Sequence, residues 1–186
     1  MKFTVKNEKP AAVKTGCVVL AIFEKRKLSA AAEQFDKTTR GLLTNLMRNG
    51  DMDGKSGQTL LIPDPAGAKC DRVLLVGCGK AGEFSDQDYR AAVAGAAGVL
   101  DRCGTTDAVS YLADVDVGDH GAYWKVRQLV EVTSGALYIP DAHKSKRNRP
   151  AKPLRRMGIN AGGAKTKPAQ QAITDGMAIA AGVELA

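Results

Sequence analysis

Two short apolar runs constrain the fold of this chain more than any other feature of its 186 residues. Cys17–Phe23 (CVVLAIF) and Arg72–Val76 (RVLLV) consist almost entirely of strand-forming apolar residues and show no polar alternation. Strands with this pattern are buried on both faces, which requires a layer of helices on each side of the sheet. Four further segments complete the predicted strands: Lys2–Lys6, Gln58–Ile62, Ala108–Leu112 and Arg155–Asn160.

Helical patterns separate these strands. Apolar residues recur at helical spacing in Ser29–Asn49, Tyr123–Leu137 and Pro168–Ala186. A fourth helix is predicted to follow Ser85, because Asp88 three residues later forms a variant of the capping box. Strands that alternate with helices predict an α/β fold, a three-layer mixed sheet flanked by helices.

The turn Gly77–Gly82 (GCGKAG) satisfies the pattern G-x-G-x-x-G of dinucleotide-binding folds. In those folds the third glycine opens a helix whose N–H groups face the pyrophosphate. Here the helix begins only at Ser85, Glu83 would repel a phosphate, and the ribose-binding acid expected about 20 residues on has no suitable candidate. A tight strand exit made of glycines is the favoured interpretation, and nucleotide binding is the alternative.

Positive charge is concentrated in one segment near the C-terminus. Nine Lys/Arg and three Asp/Glu from Asp141 onward account for six of the seven net positive charges. Such a segment predicts salt-sensitive contacts with phosphates, although it has no interleaved aromatic residues for base stacking. A solvated basic loop is favoured, and a DNA-binding module is the alternative. Its candidate residues are Lys144, Lys146, Arg147, Arg149, Lys152, Arg155 and Arg156.

Few residues are suited to a metal site or to disulfide bonds. The four cysteines include no C-x-x-C pair, which predicts reduced thiols and a cytoplasmic protein. His120 and His143 are each isolated in the sequence and are interpreted as surface residues, and Trp124 as a packing residue. The N-terminal residues lack the apolar core of a signal peptide, and no apolar stretch reaches membrane-spanning length. The acidic cluster is interpreted as a solvated loop: Asp114, Asp116 and Asp119.

Several motifs together resemble the N-terminal domain of the leucyl aminopeptidases of the cytosol aminopeptidase family, peptidase family M17. Gly50–Thr59 (GDMDGKSGQT) is similar to the family's G-D-F-x-G-K-x-G-Q-T turn, and Arg72–Lys80 (RVLLVGCGK) to its next strand and turn. Ala136–Lys146 resembles the Y-x-F-D-x-Y-K-S-K segment, and Ala172–Ala186 the helix that enters the catalytic domain. Two positions depart from the pattern, Met52 and His143, where the family commonly has aromatic residues.

The resemblance implies a macro-domain-like fold. It also implies a longer parent protein in which one domain is accessory and another is catalytic. Residues 1–164 would form the accessory domain, and residues 165–186 a linker helix that leads to a C-terminal catalytic domain. In the family that domain holds two divalent metals, zinc or manganese, and drives assembly into a homo-hexamer. We therefore assign no catalytic, cofactor-binding or metal-binding residue to this chain. The resemblance leaves two alternatives open, DNA binding by residues 144–156 and binding of ADP-ribose or another nucleotide near Gly77–Gly82.

Overall fold

A seven-stranded mixed sheet forms the centre of the protein in the computed structural model, which describes residues 1–138, 152–163 and 166–184. The strands are β1 (Lys2–Lys6), β2 (Cys17–Phe23), β3 (Lys27–Leu28), β4 (Thr59–Pro63), β5 (Arg72–Gly77), β6 (Asp107–Ser110) and β7 (Arg156–Asn160). Their order is β1-β7-β6-β2-β5-β4, and β3 pairs with β2 outside this path. The five strands from β1 to β5 in that order run parallel, while β4 and β3 pair antiparallel to β5 and β2.

Helices cover both faces of the sheet. They are α1 (Ala30–Thr38), α2 (Leu42–Asn49), α3 (Asp86–Arg102), α4 (Ala122–Leu137) and α5 (Thr166–Glu184). The core on one face contains residues of α1 and α2, and the core on the other face contains residues of α3, α4 and α5. The apolar run of β2 contributes to both cores. Val18 and Leu20 belong to one core, and Val19 and Ala21 belong to the other. The predicted three-layer mixed α/β sheet is confirmed.

The segment predicted as one helix, Ser29–Asn49, is two helices in the structure, so this part of the prediction was wrong. Arg40 and Gly41 both have positive φ, 57° and 83°, and this left-handed backbone ends the first helix. The buried carboxylate of Asp36 in α1 caps α2 by accepting hydrogen bonds from the N–H groups of Leu43 at 2.7 Å and Thr44 at 3.2 Å. The break lets α1 and α2 pack side by side on the same face.

Other boundaries agree closely with the prediction. Ser85 caps α3, and the reciprocal hydrogen bonds between Ser85 and Asp88 of a capping box are present. The predicted strand Ala108–Leu112 ends earlier, because residues from Leu112 to Asp114 form a 3₁₀ turn. Among the described residues no helix combines the length and the apolar character needed to span a membrane.

Candidate functional site

The glycine turn Gly77–Gly82 is packed against another part of the chain. The N–H groups of Gly77 and Gly79 donate to the carbonyl oxygens of Gln58 and Gly54, each at 2.8 Å. A Cβ on Gly77 would overlap the carbonyl oxygen of Lys55. The loop 54–58 therefore lies where a pyrophosphate would have to approach this turn. The interpretation as a tight strand exit is confirmed, and a nucleotide at this turn has no support.

A polar crevice lies instead at the carboxyl ends of β1, β6 and β7. It is a cavity of about 340 Å³. It is lined by Asn7, Glu8, Lys9, Pro10, Ala30, Ala31, Gln34, Tyr111, Asp114, Asn160, Gly162 and Gly163. We call this cavity the strand-end crevice.

The strand-end crevice occurs where the chain leaves adjacent strands toward opposite faces. β2 continues into α1 on one face of the sheet, whereas its neighbour β6 continues into α4 on the other. In open α/β sheets, ligands bind outside the carboxyl ends of the strands at such a switch point. The strand-end crevice therefore lies in the region where open α/β sheets commonly bind their ligands.

A hydrogen-bond network around the main-chain oxygen of Glu8 connects the segments that line the crevice. The hydroxyl of Tyr111 and the side-chain amide of Asn160 both donate to the main-chain oxygen of Glu8, at 2.7 Å and 3.3 Å. The side-chain oxygen of Asn160 accepts from the N–H of Gly162 at 3.1 Å. Gly162 and Gly163 follow β7 with positive φ of 61° and 75°. These contacts join segments that are about 150 residues apart in the chain.

Asp114 is a partly buried carboxylate in the lining of the crevice. Burial raises the pKa of its carboxyl group to about 6, while the ammonium group of Lys125 and the N–H of Gly162 oppose this shift. Its buried Oδ1 atom accepts no hydrogen bond among the described residues, because the nearby N–H of Gly162 donates to Asn160 instead. The interpretation of Asp114 as part of a solvated loop was wrong, because its carboxyl group is largely buried. Asp116 and Asp119 are exposed, as expected.

The shifted pKa of Asp114 predicts a pH-dependent effect of Asp114→Asn on stability. The folded protein holds this proton more tightly than the unfolded chain, so the stabilisation is complete below pH 3.8 and is lost as the pH rises through about 6. The variant lacks this loss, so its free energy of unfolding relative to that of the wild type should rise by about 2 kcal/mol between pH 4 and pH 7. Urea unfolding at several pH values measures it. Asp116→Asn should show no such trend, and parallel profiles for Asp114→Asn and wild type would contradict the argument.

The described residues do not fit a two-metal centre. No group of three or more His, Cys, Asp or Glu side chains comes together within ranges 1–138, 152–163 and 166–184. Cys17, Cys70 and Cys78 are buried free thiols, and Cys103 is a partly exposed one. Burial raises the pKa of Cys70 to about 11 and of Cys78 to about 12, which keeps both un-ionised at neutral pH.

His120 is not the isolated surface residue that the sequence indicated. Its Nε2 atom lies 2.9 Å from Oδ1 of Asp86, and its ring stacks on Trp124 with 3.8 Å between the ring centroids. Trp124 also contacts the ring of Tyr89 and packs against the core, which confirms its interpretation as a packing residue. Through these contacts His120 connects the loop before α4 to the start of α3. His143 lies outside the described residues.

The predicted DNA-binding residues fall into two groups. Lys152, Arg155 and Arg156 are exposed, and the guanidinium group of Arg156 lies 3.8 Å from a carboxylate oxygen of Asp107. DNA binding stays a prediction. Four of the candidates lie outside the described residues: Lys144, Lys146, Arg147 and Arg149.

Comparisons with known proteins agree on one family. Residues 19–147 match the family model described as "Cytosol aminopeptidase family, N-terminal domain". The chain is 40% identical over 186 residues to a "Probable cytosol aminopeptidase" of Idiomarina loihiensis, covering 100% of this chain and 37% of that protein. It is 40% identical over 185 residues to a "Cytosol aminopeptidase" of Vibrio cholerae, covering 99% and 37%. The chain thus spans little more than a third of the length of these relatives.

Solved structures share the fold at low sequence identity. A mutant of tomato leucine aminopeptidase matches with a TM-score of 0.75 and 17% identity, over 98% of this chain and 36% of that one. The bottromycin maturation enzyme BotP matches with a TM-score of 0.61 and 23% identity, over 90% and 30%. At this identity the likeness establishes the fold alone.

Proposed function

Since the chain belongs to the cytosol aminopeptidase family and corresponds to its N-terminal domain, we propose that it is the non-catalytic accessory domain of a leucyl aminopeptidase. The parent would remove N-terminal residues from peptides in the cytoplasm. Its catalytic residues and two divalent ions, zinc or manganese, would belong to the larger part of the parent outside this chain. The accessory domain would act in assembly or regulation of a homo-hexamer built around the catalytic domains.

One face of α5 carries small and apolar residues along its length, and we call this face the apolar stripe: Ala169, Ala172, Ile173, Gly176, Ile179 and Val183. This stripe supports docking onto a catalytic domain. Its first half is buried against the rest of the fold through Ala169, Ala172 and Ile173. Gly176 lies so close to α4 that an added Cβ would be 3.0 Å from the main-chain oxygen of Arg127. The absence of a side chain at Gly176 lets α5 pack closely against α4.

The same stripe continues beyond the part that the domain covers. Ile179 and Val183 follow Ala172 and Gly176 at the three- and four-residue spacing that keeps side chains on one helix face. Their exposed fractions are 42% and 74%, although the earlier members of the stripe are buried. Fully burying a side chain of this kind is worth about 1.5–3 kcal/mol, so covering this end of α5 would stabilise a complex substantially. We propose that the catalytic domain covers it, and that the division near residue 164 is where the linker helix begins.

A chimera tests this role. The chain replaces the matching N-terminal part of the Vibrio cholerae relative, and Ile179→Asp with Val183→Asp is introduced. Because Val183 is largely exposed and Ile179 is nearly half exposed in the chain alone, the isolated domain should lose little in melting temperature. The chimera should lose at least tenfold in hydrolysis of a leucyl anilide and melt at a clearly lower temperature. The two measurements are the activity assay and differential scanning calorimetry.

The control variant carries the same added charge on another face of α5. Thr174→Asp with Ala178→Asp changes two exposed positions away from the stripe and should leave both the chimera and the isolated domain as they were. A stripe variant as active and stable as the unmodified chimera would overturn the docking role. Chelator-sensitive peptide hydrolysis by the isolated chain with zinc or manganese would overturn its non-catalytic nature.

A further inference from the structure

We propose that the strand-end crevice binds a free amino acid, with the ligand's ammonium group at Asp114 and its carboxylate at the N-terminus of α1. The inference rests on the shape and charge of the crevice and holds whether or not the domain docks as proposed above. If that function also holds, the ligand belongs to the class of product that an aminopeptidase releases, and the crevice would sense that product.

One side of the crevice suits a cation. Burial desolvates the carboxyl group of Asp114 by more than the nearby ammonium group of Lys125 offsets, and its Oδ1 atom accepts no hydrogen bond among the described residues. Polar groups removed from water in this way are stabilised when a charged donor approaches them. An ammonium group is such a donor, and it would also favour the ionised form of Asp114 at neutral pH.

Another side suits an anion. Ser29 caps α1 by accepting a hydrogen bond from the N–H of Ala32 at 3.3 Å. The N–H groups of Ala30 and Ala31, which line the crevice, have no carbonyl partner within the helix because they belong to its first turn. Free N–H groups and the helix dipole stabilise a carboxylate at this position, and the exposed Lys9 also lines the crevice.

The size and the remaining lining favour a small polar ligand. A volume of about 340 Å³ is at the lower end of the range of ligand sites, roughly 300–1,000 Å³. The amide side chains of Asn7, Gln34 and Asn160 add further polar groups. An amino acid carries both charges within one small molecule, whereas a dinucleotide has no ammonium group and is much larger.

Calorimetric titration of the purified chain at pH 7.5 with glycine, L-leucine and L-glutamine tests the proposal. We expect at least one of them to bind. N-acetyl and amide derivatives of the binding amino acid each remove one charge, so both should bind at least tenfold more weakly. Failure of all three amino acids to bind, or equal binding of a blocked derivative, would overturn the proposal.

Two pairs of variants locate the binding at the crevice. Asp114→Asn and Ala30→Glu should each weaken binding at least tenfold, the first by removing the partner of the ammonium group and the second by placing a carboxylate beside that of the ligand. Asp116→Asn and Ala30→Gln are the matched controls and should bind like the wild type. Ala30 is exposed and lies in the first turn of α1, where Glu is well tolerated, so its variants keep the fold.

A variant of α5 separates the proposed amino-acid site from the proposed docking role. Ile179→Asp with Val183→Asp lies on α5, away from the crevice residues, and should bind the amino acid like the wild type. Binding that survives both Asp114→Asn and Ala30→Glu would place the ligand elsewhere and overturn the assignment.

Discussion

Replacing Gly77 with alanine is expected to destabilise the fold by about 3 kcal/mol or more, which corresponds to a fall of roughly 6–12 °C in melting temperature for a domain of this size. The added Cβ would overlap the carbonyl oxygen of Lys55 and lie 3.0 Å from the carbonyl carbon of Gly54. These are main-chain atoms of a loop that hydrogen-bonds to Gly77 and Gly79, so they cannot move aside without breaking those bonds. Thermal and urea unfolding of the purified chain measure the loss.

The third glycine of the same motif provides the control. A Cβ on Gly82 meets no atom within 4 Å, and Gly82 is not among the glycines with positive φ. Gly82→Ala should therefore leave the stability within about 0.5 kcal/mol of the wild type, or raise it slightly by restricting the unfolded chain. Equal effects at Gly77 and Gly82 would mean that close packing of the loop is not the reason for glycine at Gly77.

Replacing Asp36 with alanine is expected to cost about 2–4 kcal/mol, because one buried carboxylate supplies the whole side-chain cap of α2. It accepts hydrogen bonds from the N–H groups of Leu43 and Thr44, and a third from the Thr44 hydroxyl at 2.5 Å. Gly41, at the N-cap position of α2, has no side chain that could replace it. Urea unfolding monitored by circular dichroism gives the change in the free energy of unfolding.

Two substitutions separate capping from helix propensity in α1. Asp36→Asn keeps one acceptor oxygen and should lose clearly less than Asp36→Ala. Glu33→Ala removes an exposed carboxylate from the same helix and should change the stability by less than about 0.5 kcal/mol. A loss below 0.5 kcal/mol for Asp36→Ala would show that α2 does not depend on this cap.

Local patterns were sufficient to predict most secondary structure. The run Cys17–Phe23 coincides with β2, and the capping signal at Ser85 marks the start of α3. Both features depend on residues next to one another in the chain. The two-residue β3 and the break at Arg40–Gly41 were missed, because neither is decided by local propensity alone. The break is stable because a carboxylate from α1 caps the following helix.

The strand-end crevice could not be predicted from the sequence. Its walls come from four separate segments, after β1, at the start of α1, after β6 and after β7. A sequence signal existed in the glycine pair Gly162–Gly163 after a strand, which often marks a turn where a side chain or ligand comes close. Nothing in the sequence connected that pair to Asp114, which lies on another loop.

By itself, the sequence determined the class of fold, since apolar runs without alternation can be buried only between two layers of helices. It also determined membership in the family, through motifs such as Gly50–Thr59 whose residues are contiguous. Only the tertiary structure decided which glycine has no room for a side chain, which carboxylate is buried and where a crevice forms. Those properties depend on atoms from distant segments that meet only after the strands have taken their order in the sheet.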